Sequence, residues 1–229
     1  MQLSSMKGKR YLIINLKGYE EAFGSRSVEI GRIARGASEE YGVSVVVCPP
    51  VPWLSQVAET GAETFAQHCD PYKPGAFTGF TSPEMIKATG ATGILMNHTE
   101  HKLRLHEVEF LVENCRRTGM NATVCADTVY TVAAISALEP DIVAIEPPEL
   151  IGTGISVSTA KPEIITRAIE SVRKINKEVP VIAGAGISGE QDVRRSIELG
   201  ASGALVASAI VKSGSKRELI YRMAAELSG

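Results

Sequence analysis

Five places in this chain carry residues whose types and spacing could do chemistry. Asn15 and Lys17 stand at the end of a short apolar run, YLIINL over Tyr11–Leu16. Two apart on a strand, they point the same way, and an amide beside an ammonium suits an anionic ligand. A surface cation is the plain alternative for Lys17. Asn97-His98-Thr99-Glu100 ends a second run, and of four histidines only His98 follows such a run directly. Next to a helix start the dipole favours a neutral imidazole, which donates a hydrogen bond; an ordinary loop histidine is the alternative. His68 trails another run, while His101 and His106 fall on or beside a polar helix, where solvated rings are expected. Glu146 closes a further run, and burial there would make its carboxylate a stronger base. Two prolines stiffen the loop after it, Gly152 and Gly154 free its far end, and Leu150 and Ile151 make its tip apolar, as a water-excluding lid requires. A salt-bridged Glu on a plain surface loop fits the same residues. Gly184-Ala185-Gly186-Ile187-Ser188 and Val206-Ala207-Ser208-Ala209 are small-residue turns whose backbone N–H groups can cradle a phosphate. A Lys, a neutral His, a Glu under a lid and a phosphate cradle together describe proton abstraction beside a carbonyl in a small phosphorylated substrate.

Eight apolar runs position these residues: Tyr11–Leu16, Val43–Cys48, Glu63–Gln67, Gly93–Asn97, Ala122–Ala126, Asp141–Glu146, Val181–Gly184 and Gly203–Ala207. Most are continuously apolar, as parallel strands covered on both faces must be. Between them, Arg26–Tyr41, Arg104–Thr118 and Lys161–Lys177 repeat their apolar residues at helical spacing. Eight βα units in a chain of 229 residues predict an α/β fold, a closed eight-stranded parallel (βα)8 barrel spanning residues 1–229 as one domain. Chemistry then belongs at the C-terminal strand ends, and phosphate at the last two. An open doubly wound sheet is the structural alternative, but Asn15-Leu16-Lys17-Gly18 stands where its G-x-G-x-x-G would follow the first strand.

Composition narrows the function classes. Twenty-four Lys and Arg against 26 Asp and Glu leave a formal charge of −2, so nothing pulls the chain toward nucleic acid or an anionic membrane. No apolar run has the length of a membrane span, and Met1–Arg10 lacks the apolar core of a signal peptide, whether the start is Met1 or Met6. A cytoplasmic location is expected. The cysteines at 48, 69, 115 and 125 form no C-x-x-C, which predicts reduced, buried thiols without a zinc clip.

The motifs occur in a familiar order. N-x-K at Asn15–Lys17, G-A-F-T-G at Gly75–Gly79, N-H-T-E at Asn97–Glu100 and E-P-P-E-L-I-G-T-G at Glu146–Gly154 resemble the triosephosphate isomerase family along essentially the whole chain. The resemblance implies that Glu146 moves a proton between C1 and C2 while neutral His98 polarises the carbonyl and shuttles protons among the oxygens. Lys17 and Asn15 would offset substrate charge, with Glu100 holding the Lys17 ammonium. The loop Pro147–Gly154, Gly152 within it, would close as the lid, and main-chain N–H groups near Ile151, Gly186, Ala207 and Ser208 would take the phosphate of a triose. Cys125 matches a supporting cysteine. No metal or organic cofactor is implied. The segments A-G-A-G-I-S and P-P-E-L, where longer bacterial and eukaryotic members have Y-G-G-S and a V-W-A tip, resemble the shorter archaeal branch. That branch implies a glycolytic and gluconeogenic homo-oligomer, a tetramer built of dimers or a dimer. Thr78 would then reach toward Asn15 of a neighbouring subunit.

Two other classes fit the residues less well. A phosphoribosyl isomerase on a similar barrel would need acidic residues ending strands one and five, where Lys17 and Cys125 stand. A silent scaffold predicts loss of Lys17, His98 or Glu146, and all three are present.

Overall fold

A computed structural model describes residues 8–229; both candidate starts, Met1 and Met6, lie outside the described residues. Strands and helices alternate as β1 (Tyr11–Asn15), α1 (Ser25–Tyr41), β2 (Ser44–Cys48), α2 (Leu54–Ala58), β3 (Glu63–Ala66), α3 (Pro83–Ala88), β4 (Gly93–Met96), α4 (Leu105–Thr118) and β5 (Asn121–Ala126). They continue as α5 (Val129–Ser136), β6 (Ile142–Ile145), α6 (Val157–Ala160), α7 (Pro162–Ile175), β7 (Val181–Ala183), α8 (Glu190–Glu198), β8 (Gly203–Val206), α9 (Ser208–Val211) and α10 (Lys216–Ala225). The eight strands are parallel and close in sequence order, β8 pairing back onto β1 from Tyr11↔Gly203 to Ile14↔Val206.

The continuous apolarity of the strands has the expected cause. Along β1, Tyr11 and Ile13 belong to one buried cluster with Phe65, Leu95, Ile142, Ile182 and Leu205, which fills the barrel. Leu12 and Ile14 belong to a second, shared with α1 and α10. A third cluster backs the other half of the barrel with α4 and α7. Every strand therefore buries both faces. Closure depends on one glycine: a Cβ at Gly203 would stand 1.9 Å from the Tyr11 carbonyl oxygen.

Helix limits follow local chemistry. Gly42 (φ 66°) and Gly119 (φ 69°) end α1 and α4 in the left-handed conformation, and Pro162 opens α7. The strands stop earlier than their apolar runs suggest. Leu16, Gln67, Asn97, Glu146, Gly184 and Ala207 fall just outside the ladders, in the turns that form the mouth of the barrel. Asp141 falls just before β6, its backbone N–H donating to the Ala122 carbonyl (3.0 Å) and its carboxylate accepting the Ala122 N–H (2.8 Å).

Candidate active site

A cavity of about 330 Å³ opens at the C-terminal ends of the strands. Its walls bring together Asn15, Lys17, His98, Glu146, Ile151, Gly152, Gly186, Ala207 and Ser208, contributed by five separate β–α turns. Of the other singled-out residues, Glu100 reaches the site through Lys17, and Thr78 is exposed on the loop between β3 and α3 without lining this cavity.

Lys17 leaves β1 with φ 48°, a left-handed backbone that a side chain disfavours. Two amides hold it there. Asn15 Oδ1 accepts the Lys17 N–H (3.0 Å), and Gln67 Nε2 donates to the Lys17 carbonyl (3.1 Å) and to that of Cys48 (2.8 Å). The Lys17 ammonium meets Glu100 Oε1 at 2.7 Å.

His98 is set by the residue before it. Asn97 also adopts positive φ (58°), its side chain donating to Cys125 O (2.9 Å) and accepting from Leu103 N (3.0 Å), so the turn after β4 is tied at two points. The Glu100 N–H points at His98 Nδ1 (3.2 Å). A backbone N–H can only donate, so Nδ1 is the acceptor and a neutral ring carries its proton on Nε2. That nitrogen lies 3.4 Å from Glu146 Oε1.

Glu146 is 4% exposed, and its Oε2 has no hydrogen-bond partner among the described residues. Its side chain runs against the turn after β7, where a Cβ on Gly184 would be 2.4 Å from Glu146 Cγ. The buried Cys125 thiol beside it is pushed well above the ordinary thiol range, first by burial and then by the Glu146 carboxylate, so it stays protonated.

The loop after Glu146 makes one short 3-10 turn, Pro148–Leu150, which buries Leu150. Gly152 (φ 75°) and Gly154 (φ 74°) free its far end. Glu149 pairs with Lys161 beyond the loop. Where the loop's far end crosses the turn after β7, a Cβ on Gly186 (φ 71°) would fall 1.8 Å from the Ile155 carbonyl oxygen. That close approach brings the two turns onto one side of the cavity.

Several further residues line or support the cavity. Gln67, a polar residue closing an apolar run, carried the same signal as Asn15 and Glu146. Tyr19 and Lys212 line the cavity with no signal that separates them from surface residues. His101 and His106 are exposed, as their polar surroundings suggested, and the His101 ring also stacks on that of half-buried His68 at 3.8 Å. The four cysteines are buried, as expected of free thiols.

The chain is similar to known proteins along most of its length. The family model described as triosephosphate isomerase matches residues 10–223. The triosephosphate isomerase of Methanosarcina acetivorans is 45% identical over 207 residues, 90% of this chain and 93% of that protein. That of Methanocaldococcus jannaschii is 42% identical over 93% of this chain and 97% of its own length. The Saccharolobus solfataricus enzyme is 41% identical, covering 91% and 92%. With a match of this length and identity on a barrel that presents the motif residues at one mouth, the chain belongs to the triosephosphate isomerase family.

Proposed function

We propose that Glu146, His98, Lys17 and Asn15 carry the interconversion of dihydroxyacetone phosphate and D-glyceraldehyde 3-phosphate, the activity of this family. The observation that supports it most directly is the 3.4 Å approach of His98 Nε2 to Glu146 Oε1 in a cavity shared with Lys17. Glu146 removes a proton from C1 of the ketose, and the C–H electron pair becomes the C1–C2 double bond of an enediolate. The His98 Nε2–H gives its proton to O2, and the ring recovers one from O1. Protonated Glu146 then returns a proton to C2, with the electron pair forming the aldehyde at C1. Each proton removed is restored, so the step is redox-neutral.

Lys17 lies beside the developing negative charge, and Asn15 adds an amide donor on the same side. Closure of Pro147–Gly154 shields the enediolate from water and from loss of phosphate. Main-chain N–H groups at Ile151, Gly186, Ala207 and Ser208 take the phosphate. The reading carries with it glycolytic and gluconeogenic use, a cytoplasmic location, and a dimer or a tetramer built of dimers in which Thr78 approaches Asn15 of a neighbour. Exposed Phe77, Tyr72 and Phe80 pack against one another around Thr78, with centroids 4.7 and 4.6 Å apart for the Tyr72 pairs, as expected of a loop awaiting a partner. No helix among the described residues is long and apolar enough to cross a membrane.

The test is turnover of glyceraldehyde 3-phosphate by the protein and by Glu146→Gln. Replacing a general base with an amide should lower kcat by about 10³-fold with an unchanged circular dichroism spectrum. Equal rates in the two proteins would remove Glu146 from the mechanism.

A further inference from the structure

The cavity lining holds a cation that the proposed steps leave unused. Lys212 follows α9, its backbone N–H donating to Ser208 O (2.9 Å), and it lines the same cavity as Lys17, His98 and Glu146. The ammonium sits 4.9 Å from the centroid of the Tyr19 ring, which also lines the cavity. No carboxylate pairs with Lys212 among the described residues.

Charge balance gives this placement a use. Lys17 faces Glu100 at 2.7 Å, so that pair is close to neutral, and the His98 ring is neutral when Nδ1 accepts from the backbone. The Glu146 carboxylate leaves the remaining lining negative. A phosphate monoester brings a further charge of about −1.5 to −2 at pH 7. Backbone N–H groups offer dipoles and no net charge, whereas Lys212 brings one full positive charge and offsets part of that sum. The Tyr19 ring confines its flexible stem while leaving the ammonium's donors free, which lowers the entropy lost on binding. Tyr19 comes two residues after Lys17, so one turn after β1 sets both cations, Lys17 through its backbone and Lys212 through the aromatic ring.

We propose that Lys212, carried on the Tyr19 ring, is a substrate-binding residue that takes the phosphate of the triose at the mouth of the barrel. The proposal rests on the isomerase reading and deepens it, since it assigns phosphate recognition to a side chain as well as to backbone.

The test compares the parent with Lys212→Ala, Lys212→Arg and Tyr19→Leu, each first checked for an unchanged circular dichroism spectrum. Three quantities are read: KM for glyceraldehyde 3-phosphate, the inhibition constant of inorganic phosphate, and kcat/KM for unphosphorylated glyceraldehyde followed by solvent deuterium exchange. Removing one charge-assisted contact should raise both KM and the phosphate constant about tenfold in Lys212→Ala. Lys212→Arg should restore both to within about threefold of the parent, and Tyr19→Leu should shift them the same way as Lys212→Ala by less. The loss of kcat/KM should be at least about fivefold smaller for glyceraldehyde, which has no phosphate to contact. A KM and phosphate constant within twofold of the parent, or equal losses for both substrates, would overturn the assignment. A parent without turnover would instead sink the isomerase reading, while calorimetric titration of parent and Lys212→Ala with inorganic phosphate would still read Lys212 directly.

Discussion

Lys17, Asn97 and Ala185 adopt left-handed backbone conformations in the turns after β1, β4 and β7, and none of them is glycine. Such conformations persist only where the surroundings over-determine them. Asn15 and Gln67 do so for Lys17, and the amide of Asn97 does so for its own turn, which in turn aims His98. The second histidine on that turn, His101, stacks on His68. The His68 pKa is lowered from 6.5 mainly by burial, then by His101, against the opposing pull of Asp70 and Glu107. The folded protein therefore binds the proton less readily than the unfolded chain. The stability from neutral His68 is present above pH 6.5 and is lost as pH falls through the lower folded value. Melting temperatures from pH 8 to pH 5 should thus fall more steeply for the parent than for His68→Gln, and parallel curves would refute the linkage.

At the scale of elements, the site is made by turns, and each turn is shaped by what it crosses. The lid's far end passes over Gly186 so closely that a Cβ would overlap the Ile155 carbonyl. Gly186→Ala must therefore push the lid and the turn after β7 apart, on top of strain at φ 71°. We expect KM to rise about tenfold or more and kcat to fall, while the melting temperature drops by only a few degrees, because the barrel core is untouched. A variant with parent KM would show that the crossing does not shape the phosphate side.

At the scale of the molecule, a parallel barrel succeeds only if its last strand finds its first. Gly203 makes that seam, since any side chain there would press into the Tyr11 backbone. Gly203→Ala is expected to destabilise by about 3 kcal/mol or more, the range of severe backbone and overpacking clashes; urea unfolding with an unaltered midpoint would contradict it. Assembly is read at the same scale. Sedimentation should show a dimer or larger species, and activity per subunit should fall on dilution as Thr78 leaves the neighbouring site. A fully active monomer would remove the intersubunit role of Thr78.

Much of this was legible before any coordinates. Eight mostly apolar runs at regular spacing pointed to parallel strands covered on both faces, and the absence of G-x-G-x-x-G after the first favoured a closed barrel over an open sheet. Asn15, Lys17, His98 and Glu146 were legible because a polar group closing an apolar strand stands out against it. Gln67 carried that signal too and was passed over. Only the tertiary structure decided what depends on approach between distant segments: Gly184 making room for Glu146, Gly203 for Tyr11, His101 stacking on His68, and Lys212 turning over Tyr19. Periodicity along a chain records which face of an element is buried. It does not record which atom of another element, nearly two hundred residues away in the case of Tyr19 and Lys212, will stand against it.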